Sequence, residues 1–271
     1  MPILHEAPHS DTESVLMLAI ETRQLTRFFG QKCAVNEVNL RVERGTFYGF
    51  LGPNGAGKST TIKMLTGLLL PSEGEILVLG RPMSEPSEAL AVKRQIGVVP
   101  EGLALFEHLN AHEYLTFVGR MHELPKETIR KRSGELLEIL LLQDEAGKLA
   151  MEYSHGMKKK LALAAALLPN PDLLFLDEPF EGVDAVTSRV IKDILQHYVQ
   201  RGSTVFLTSH VLDIVERLCT HVGIISQGKL IEQTSLDELR QGNTLEQKFL
   251  ETVGANSTTR QGLDWLEAGA S

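Results

Sequence analysis

One stretch constrains this chain more than any other: Gly52 to Thr60, read Gly-Pro-Asn-Gly-Ala-Gly-Lys-Ser-Thr, directly after the apolar run Phe47 to Leu51. It fits the phosphate-binding template G-x-x-x-x-G-K-[ST] at Gly52, Gly57, Lys58 and Ser59. The chemistry dictates those residue types. Glycines let successive backbone N–H groups curl round phosphate oxygens, and a helix opening near Lys58 turns its positive dipole end on them. Lys58 then serves the β and γ phosphates and Ser59 a Mg2+ ion. Every residue of the loop is a candidate nucleotide contact: Gly52, Pro53, Asn54, Gly55, Ala56, Gly57, Lys58, Ser59 and Thr60. Thr61, Ile62, Met64, Leu65, Leu68 and Leu69 continue as a helix with an apolar stripe, so strand and helix frame the loop as the template requires.

A second chemical site is Leu173-Leu-Phe-Leu-Asp177-Glu178-Pro179. A carboxylate ending a buried strand beside the loop strand is where a nucleotide-bound Mg2+ needs an oxygen ligand, and Asp177 fits that role. Glu178, one residue on, can polarise an attacking water as general base if it reaches the γ-phosphate. Taken alone, the pair could equally cap a strand before Pro179. The phosphate loop about 120 residues upstream weighs for metal and base work.

The remaining chain is consistent with an α/β protein. At 271 residues and 42% hydrophobic content it can bury one large core or two modest ones. A net charge of −8 argues against a nucleic-acid backbone as the main partner, although Lys158 to Lys160 form a basic run. Cys33 and Cys219 show no metal or framework spacing and are expected to be reduced core thiols. No run approaches the roughly 18 apolar residues that span a bilayer, and the N-terminus lacks the order of a signal peptide. Residues 1–16 are expected to be a flexible leader. Asn36 to Glu43 alternates with Val38, Leu40 and Val42 on one face, as in a strand of a small antiparallel sheet. Glu75 to Leu79 and Gln95 to Val99 are further strands. From about 101 to 152 the texture becomes helical, with Asn110 and Glu113 in capping-box spacing and a second helix over Ile129 to Leu142. Leu173 to Leu176 and Thr204 to Thr208 have the look of buried strands, Val190 to Val199 of an amphipathic helix, and Val222 to Glu232 of a hairpin turning at Gln227-Gly228. Past Gly242 the signal weakens, and residues 241–271 are expected to be a tail, with a short turn near Leu263 to Leu266.

In this order and spacing, Gly52–Thr60, Tyr153-Ser-His-Gly-Met157, Leu173–Pro179 and Thr208-Ser-His210 resemble the ATP-binding subunit of an ABC transporter, over about residues 18 to 235. The resemblance implies a P-loop NTPase core with a mostly parallel sheet, an N-terminal antiparallel β subdomain and a helical subdomain insert, the ATP-binding domain running over 17–240. It implies ATP and Mg2+ as cofactors, Phe29 stacking on adenine, Asp184 crossing a dimer interface and His210 contacting the γ-phosphate. It also implies that Ser154 and Gly156 meet the γ-phosphate held by a second ATP-binding subunit. Two positions depart from the family's commonest pattern. Glu101 stands where a glutamine usually links Mg2+ to the membrane partner, and a carboxylate keeps that ligand role. His155 stands where a glycine is usual, at the opening of a helix facing the same phosphate. These variants resemble the bacterial branch that serves exporters or permeases of small hydrophobic or surface molecules.

The expected function is ATP hydrolysis coupled to transport through a separately encoded transmembrane permease, from the cytoplasmic face of the membrane, by head-to-tail dimerisation. The alternative is a soluble ATPase switch of the same family acting on nucleic acid or ribosomes, against which the acidic charge and the single module stand. Leu103, Leu105, Phe106 and Leu109 place large apolar residues in a segment that should be polar if solvated. Either they fold back onto the helical insert, or Leu105 and Phe106 line a groove for a helix of the permease.

Overall fold

The computed structural model describes residues 17–240, 242 and 244–253. In chain order the elements are β1 (Leu18–Phe29), β2 (Lys32–Val38), β3 (Arg41–Glu43), β4 (Phe47–Leu51), α1 (Lys58–Leu65), β5 (Glu73–Val78), β6 (Arg81–Pro82), α2 (Pro86–Lys93) and β7 (Ile96–Val99). Helices α3 (Ala111–Met121), α4 (Lys126–Ile139) and α5 (His155–Leu167) follow. The chain then runs through β8 (Leu173–Asp177), α6 (Ala185–Gln200), β9 (Thr204–Ser209), α7 (Leu212–Leu218), β10 (His221–Ser226), β11 (Lys229–Ser235), α8 (Leu236–Arg240) and α9 (Leu245–Val253). The leader and the turn near Leu263 to Leu266 lie outside the described residues.

Two sheets form. The smaller runs β2-β1-β5-β6 with β3 also on β1, and its pairs are antiparallel. The larger runs β11-β10-β4-β9-β8-β7, parallel except for the β10–β11 hairpin. Its central strands are apolar on both faces because both faces are covered. Phe47 and Leu51 of β4, Leu174 and Leu176 of β8, and Val205 and Leu207 of β9 join one core with α5 and α6. Their neighbours Tyr48, Phe50, Phe175 and Phe206 join the other, with α1 and the smaller sheet. Phe206 is the hub of that second core, its ring centroid 5.4, 5.5 and 5.7 Å from those of Tyr48, Phe50 and Phe175. Each such pair adds about 0.5–1.5 kcal/mol beyond the burial of its area, which rigidifies the strand carrying the phosphate loop.

Several local expectations change on inspection. The single strand over Asn36 to Glu43 is two, β2 and β3, interrupted at Asn39 and Leu40; Glu37, inside β2, takes a positive φ of 50° opposite an irregularity in the β1 register. Thr22 repairs the break: its hydroxyl donates to the Val38 carbonyl and accepts from the Leu40 N–H, both at 2.8 Å, so Val38, Leu40 and Val42 all stay buried. Helix α1 stops at Leu65 instead of running on to Leu69. Gly67, in the left-handed region at φ 69°, ends it: its N–H donates to the Met64 carbonyl (3.1 Å) and the Leu68 N–H to the Lys63 carbonyl (2.8 Å), and Leu68 is left exposed. The capping box at Asn110 and Glu113 forms as the spacing predicts. Helix α4 starts three residues earlier than expected and ends at Ile139; Leu140 and Leu142 are buried in the turn that follows. Beyond Gly242 there is a helix, α9, where no clear signal was read. Thr244 and Gln247 exchange backbone–side-chain hydrogen bonds at its start, and buried Leu245 with part-buried Phe249 joins the larger core. Cys219 is a buried thiol as expected, whereas Cys33 is only half-buried, on β2.

Candidate nucleotide-binding site

Parallel register is what assembles the site. Leu51 pairs with Ser209, Asp177 with Thr208 and Val99 with Leu176, so the chain leaves β4, β7, β8 and β9 along one edge of the larger sheet. The phosphate loop, Glu101, Asp177–Glu178 and His210 therefore meet at the carboxyl ends of these strands, where open α/β sheets bind their ligands. They surround a cavity of about 360 Å3, lined among others by Asn54, Gly55, Gly57, Lys58, Ser59, Thr60, Glu101, Glu178 and His210. Phe29 lines its outer end, 48% exposed, with the Arg27 guanidinium 4.8 Å over its ring. Phe28 does not reach the cavity.

The loop's shape is held from inside the chain. Gly57 sits at φ 111°, and a Cβ there would lie 2.6 Å from the Ala34 carbonyl oxygen, so another side chain is excluded on both counts. As N-cap of α1 it offers no side-chain acceptor, which leaves the first-turn N–H groups of the helix facing the cavity without a side-chain cap. Ala56 is buried and structural: its N–H donates to the Pro53 carbonyl (3.1 Å) and its carbonyl accepts from the Gly228 N–H in the β10–β11 turn (2.9 Å). Lys58 Nζ donates to the Gly52 carbonyl at 2.8 Å and the Pro53 carbonyl at 3.3 Å. Of the loop residues expected to touch nucleotide, Gly52, Pro53 and Ala56 thus form the frame rather than the lining.

Charge is concentrated behind the loop. Lys58, Asp177 and Glu178 are all more than nine-tenths buried. Glu178 Oε1 lies 3.3 Å from Lys58 Nζ and 3.1 Å from His210 Nδ1, yet it makes no aligned hydrogen bond with either. It is a buried carboxylate oxygen, ion-paired with Lys58 but without an aligned hydrogen bond, on a residue that lines the cavity. The Glu178 backbone is in the left-handed region, φ 49°, a conformation costing a non-glycine residue about 1–2 kcal/mol. Asp177 lies deeper: its Oδ1 accepts from the Thr208 hydroxyl at 2.6 Å. Burial raises its pKa above the ordinary aspartate range, an effect opposed by the hydroxyls of Thr208 and Ser59 and reinforced by Glu101 and Glu178. The Ser59 hydroxyl also donates to Glu101 Oε2 at 3.2 Å. Ser59, Glu101 and Asp177 make a set of hard oxygens suited to Mg2+, an ion that keeps waters and substrate oxygens among its ligands. Among the described residues no group of three His, Cys, Asp or Glu side chains makes a self-sufficient metal cage.

Four expected contacts lie elsewhere. Ser154 caps α5, accepting from the Met157 N–H at 3.3 Å, and His155 is exposed, its ring 3.2 Å from where a Cβ on Gly182 would stand. Asp184 caps α6: its carboxylate takes the Thr187 N–H at 2.9 Å and the Thr187 hydroxyl at 2.7 Å, and the N–H foremost holds it below the usual aspartate range. A Cβ on Gly156 would be 4.0 Å from that same carboxylate. Ser154, His155, Gly156 and Asp184 form one surface cluster that does not line the cavity of their own chain.

Sequence reasoning missed Thr208 and Lys159. Thr208 belonged to a motif but was given no role, and it bridges Asp177 to the Glu178 N–H (3.0 Å). Lys159 was one member of a basic run. It is 5% exposed, and Lys158 pairs with Glu107 at 2.6 Å, so the run is not a free cationic patch. A second run, Arg130 to Arg132, is likewise engaged with Glu127, Glu135 and the Leu168 carbonyl.

The family described as "ABC transporter" matches residues 35–181, more than half of the chain. The chain belongs to that family. A family described as an AAA domain, putative AbiEii toxin, also matches over 149–216, the segment that carries the second chemical site. Among curated relatives, the bacitracin transport ATP-binding protein BcrA of Bacillus licheniformis is 38% identical, over 86% of this chain and 74% of its own. The daunorubicin/doxorubicin resistance ATP-binding protein DrrA of Streptomyces peucetius is 38% identical over 82% and 67%. The probable multidrug ABC transporter ATP-binding protein YbhF of Escherichia coli is 36% identical, and 44% of its length is covered. Among solved structures, an ATP-binding subunit of an ABC transporter superposes with a TM-score of 0.80 at 28% identity, covering 86% of this chain and 99% of that one. The dimeric ABC transporter cassette MJ0796 gives 0.75 at 26%, covering 80% and 98%. A post-hydrolysis form of MJ0796 bound to ADP and Pi gives 0.74 at 25%, covering 80% and 98%. This ABC protein is accordingly an ATP-binding, ATP-hydrolysing subunit of transporter type, not a switch acting on nucleic acid.

Proposed function

We propose that this subunit drives export through a separately encoded transmembrane permease, docked peripherally on the cytoplasmic face of the membrane and paired head-to-tail with a second ATP-binding subunit. The observation that carries this is the division of the candidate site: one chain's cavity gathers Lys58, Ser59, Glu101, Glu178 and His210, with Asp177 buried behind it, while Ser154, His155, Gly156 and Asp184 sit on a separate surface. A second copy, or a close relative, supplies the missing face. Among the described residues no helix is long and apolar enough to cross a membrane, so the pathway for the cargo belongs to the permease. The names of BcrA, DrrA and YbhF, which refer to bacitracin, daunorubicin/doxorubicin and multiple drugs, support a small hydrophobic cargo. The proposed organisation is a leader over 1–16, the ATP-binding domain over 17–240 with its helical subdomain at about 101–152, and a tail over 241–271 that opens with α9.

The residues take the following roles. Phe29 stacks on the adenine, and the loop N–H groups with Lys58 hold the phosphates. Ser59, Glu101 and Asp177 hold Mg2+, which when bound offsets the charge that develops on the phosphate oxygens. Glu178 polarises the attacking water and His210 contacts the γ-phosphate; Ser154, His155, Gly156 and Asp184 close on the neighbouring subunit's nucleotide. Glu178→Gln keeps the shape of the side chain and removes the base. It is expected to bind ATP, turn over slowly and accumulate as a dimer that light scattering detects with ATP and not without it. A monomer under all nucleotide conditions, alone and with the permease, would count against the paired site.

A further inference from the structure

Glu178 can act only if its strained backbone is held, and the tie comes from an unexpected element. The Glu178 N–H donates to Thr208 on β9, while its carbonyl accepts from Lys159 Nζ at 2.9 Å. The same ammonium donates to the carbonyl of Glu181, the other end of the turn. Lys159 lies on α5, one helical turn from Gly156, and is buried. Burial holds the ammonium below the ordinary lysine range, while the carboxylates of Glu181, Glu178 and Glu101 favour its charge. An ammonium presents three donors from a point, and two are used to clamp a four-residue turn whose first member is in the left-handed region.

We propose that Lys159 is a positioning residue for ATP hydrolysis: it fixes the Glu178–Glu181 turn to α5, so that the base and the Ser154–Gly156 segment move as one body. This rests on the assignment of Glu178 as base made above. Engagement of α5 by the neighbouring subunit then reaches the water-activating carboxylate through a single side chain, without passing through the nucleotide. Lys159 donates its hydrogen bonds to the turn and none to the phosphate loop, so loss of the clamp reaches the loop only through the Glu178–Lys58 ion pair (3.3 Å). That loss frees the turn to relax, and a displacement of about 1 Å at a catalytic group costs on the order of 100-fold in rate.

The test uses the full-length protein, with the permease where activity requires it, and compares Lys159→Met, Lys159→Arg and Glu178→Gln with the double variant Lys159→Met/Glu178→Gln. Lys159→Met is expected to lower kcat about 10- to 100-fold with the Kd for ATP within about threefold. Lys159→Arg, which still has N–H donors for both carbonyls, is expected to recover most of the rate. In the Glu178→Gln background the Met substitution is expected to change little, because the group it positions is already gone. Wild-type kcat in Lys159→Met, an equal fold-loss in both backgrounds, or no recovery with Arg would each overturn the clamp. Should Lys159→Met fail to fold, Lys159→Gln, with a shorter reach, replaces it under the same criteria. A Glu178→Gln protein that hydrolyses at the wild-type rate removes the assignment of the base itself, and the clamp with it.

Discussion

At the scale of single residues the site works against the stability of the empty protein. Asp177 is buried among Glu101, Glu178 and two hydroxyls, and its raised pKa means that the folded chain binds that proton more tightly than the unfolded one. The group therefore favours folding below the ordinary carboxylate range and opposes it once the pH has risen through the raised value. Asp177→Asn is expected to raise the Tm of the nucleotide-free protein at neutral pH, by about 2–4 °C for every kcal/mol relieved in a chain of this size. The advantage over wild type should grow as the pH climbs through the acidic window and then level off. The same variant should lose most of the further Tm rise that Mg·ATP gives the wild type, because ligand stabilisation follows affinity. Thermal melts across pH with and without Mg·ATP separate the two effects; an unchanged or lowered Tm in the empty protein would show that ionised Asp177 is not a burden.

At the scale of elements, what the sequence made legible depended on how local the determining interactions are. The capping box at Asn110 and the Gln227-Gly228 hairpin are set by neighbours in the chain and form as expected, whereas the phosphate loop, legible from its template, is also braced from afar by Ala34 and Gly228. The split of β2 from β3 is bridged by Thr22, distant in sequence, and could not be read from hydrophobic alternation, whereas the end of α1 is legible in Gly67, the residue type that commonly closes a helix. Helix α9 carries a readable signal in its Thr244–Gln247 cap. Lys159 was hidden for a different reason: a lysine beside two others looks solvated until the fold buries it. The apolar segment after Glu101 divides. Leu103 and Leu105 pack against the larger core, while Phe106 is 54% exposed and meets Phe117 edge-on at 5.0 Å. Leu103 and Leu105 also border a cavity of about 420 Å3 reaching Leu68, Tyr114 and Val118, which Phe106 does not line; we propose that a helix of the permease docks over this cavity and the adjoining Phe106. Phe106→Asp is expected to remain folded, losing at most about 0.5–1.5 kcal/mol of aromatic contact. It should nevertheless leave the membrane fraction of cells that carry the permease. Collapse of the fold, or unchanged pelleting with membranes, would argue against docking there.

At the scale of the whole molecule, the surface cluster of Ser154, His155, Gly156 and Asp184 is the face through which we propose that two subunits meet. His155 stands where the family usually has a glycine, its ring exposed and resting against Gly182. His155→Gly keeps Ser154 and Gly156 and is expected to form the ATP-driven dimer, measured in the Glu178→Gln background; loss of that dimer would show that the imidazole itself is needed for pairing. A longer-range consequence comes from the β10–β11 turn. Gly228 accepts from Asn36 and donates to Ala56, so the phosphate loop is locked by a residue synthesised about 170 positions later. At ~5–20 residues per second a ribosome needs roughly 10–30 s to cover that distance. During that interval the nascent chain carries a finished motif without a finished pocket, and competence to hold nucleotide arrives only once the β10–β11 turn has emerged.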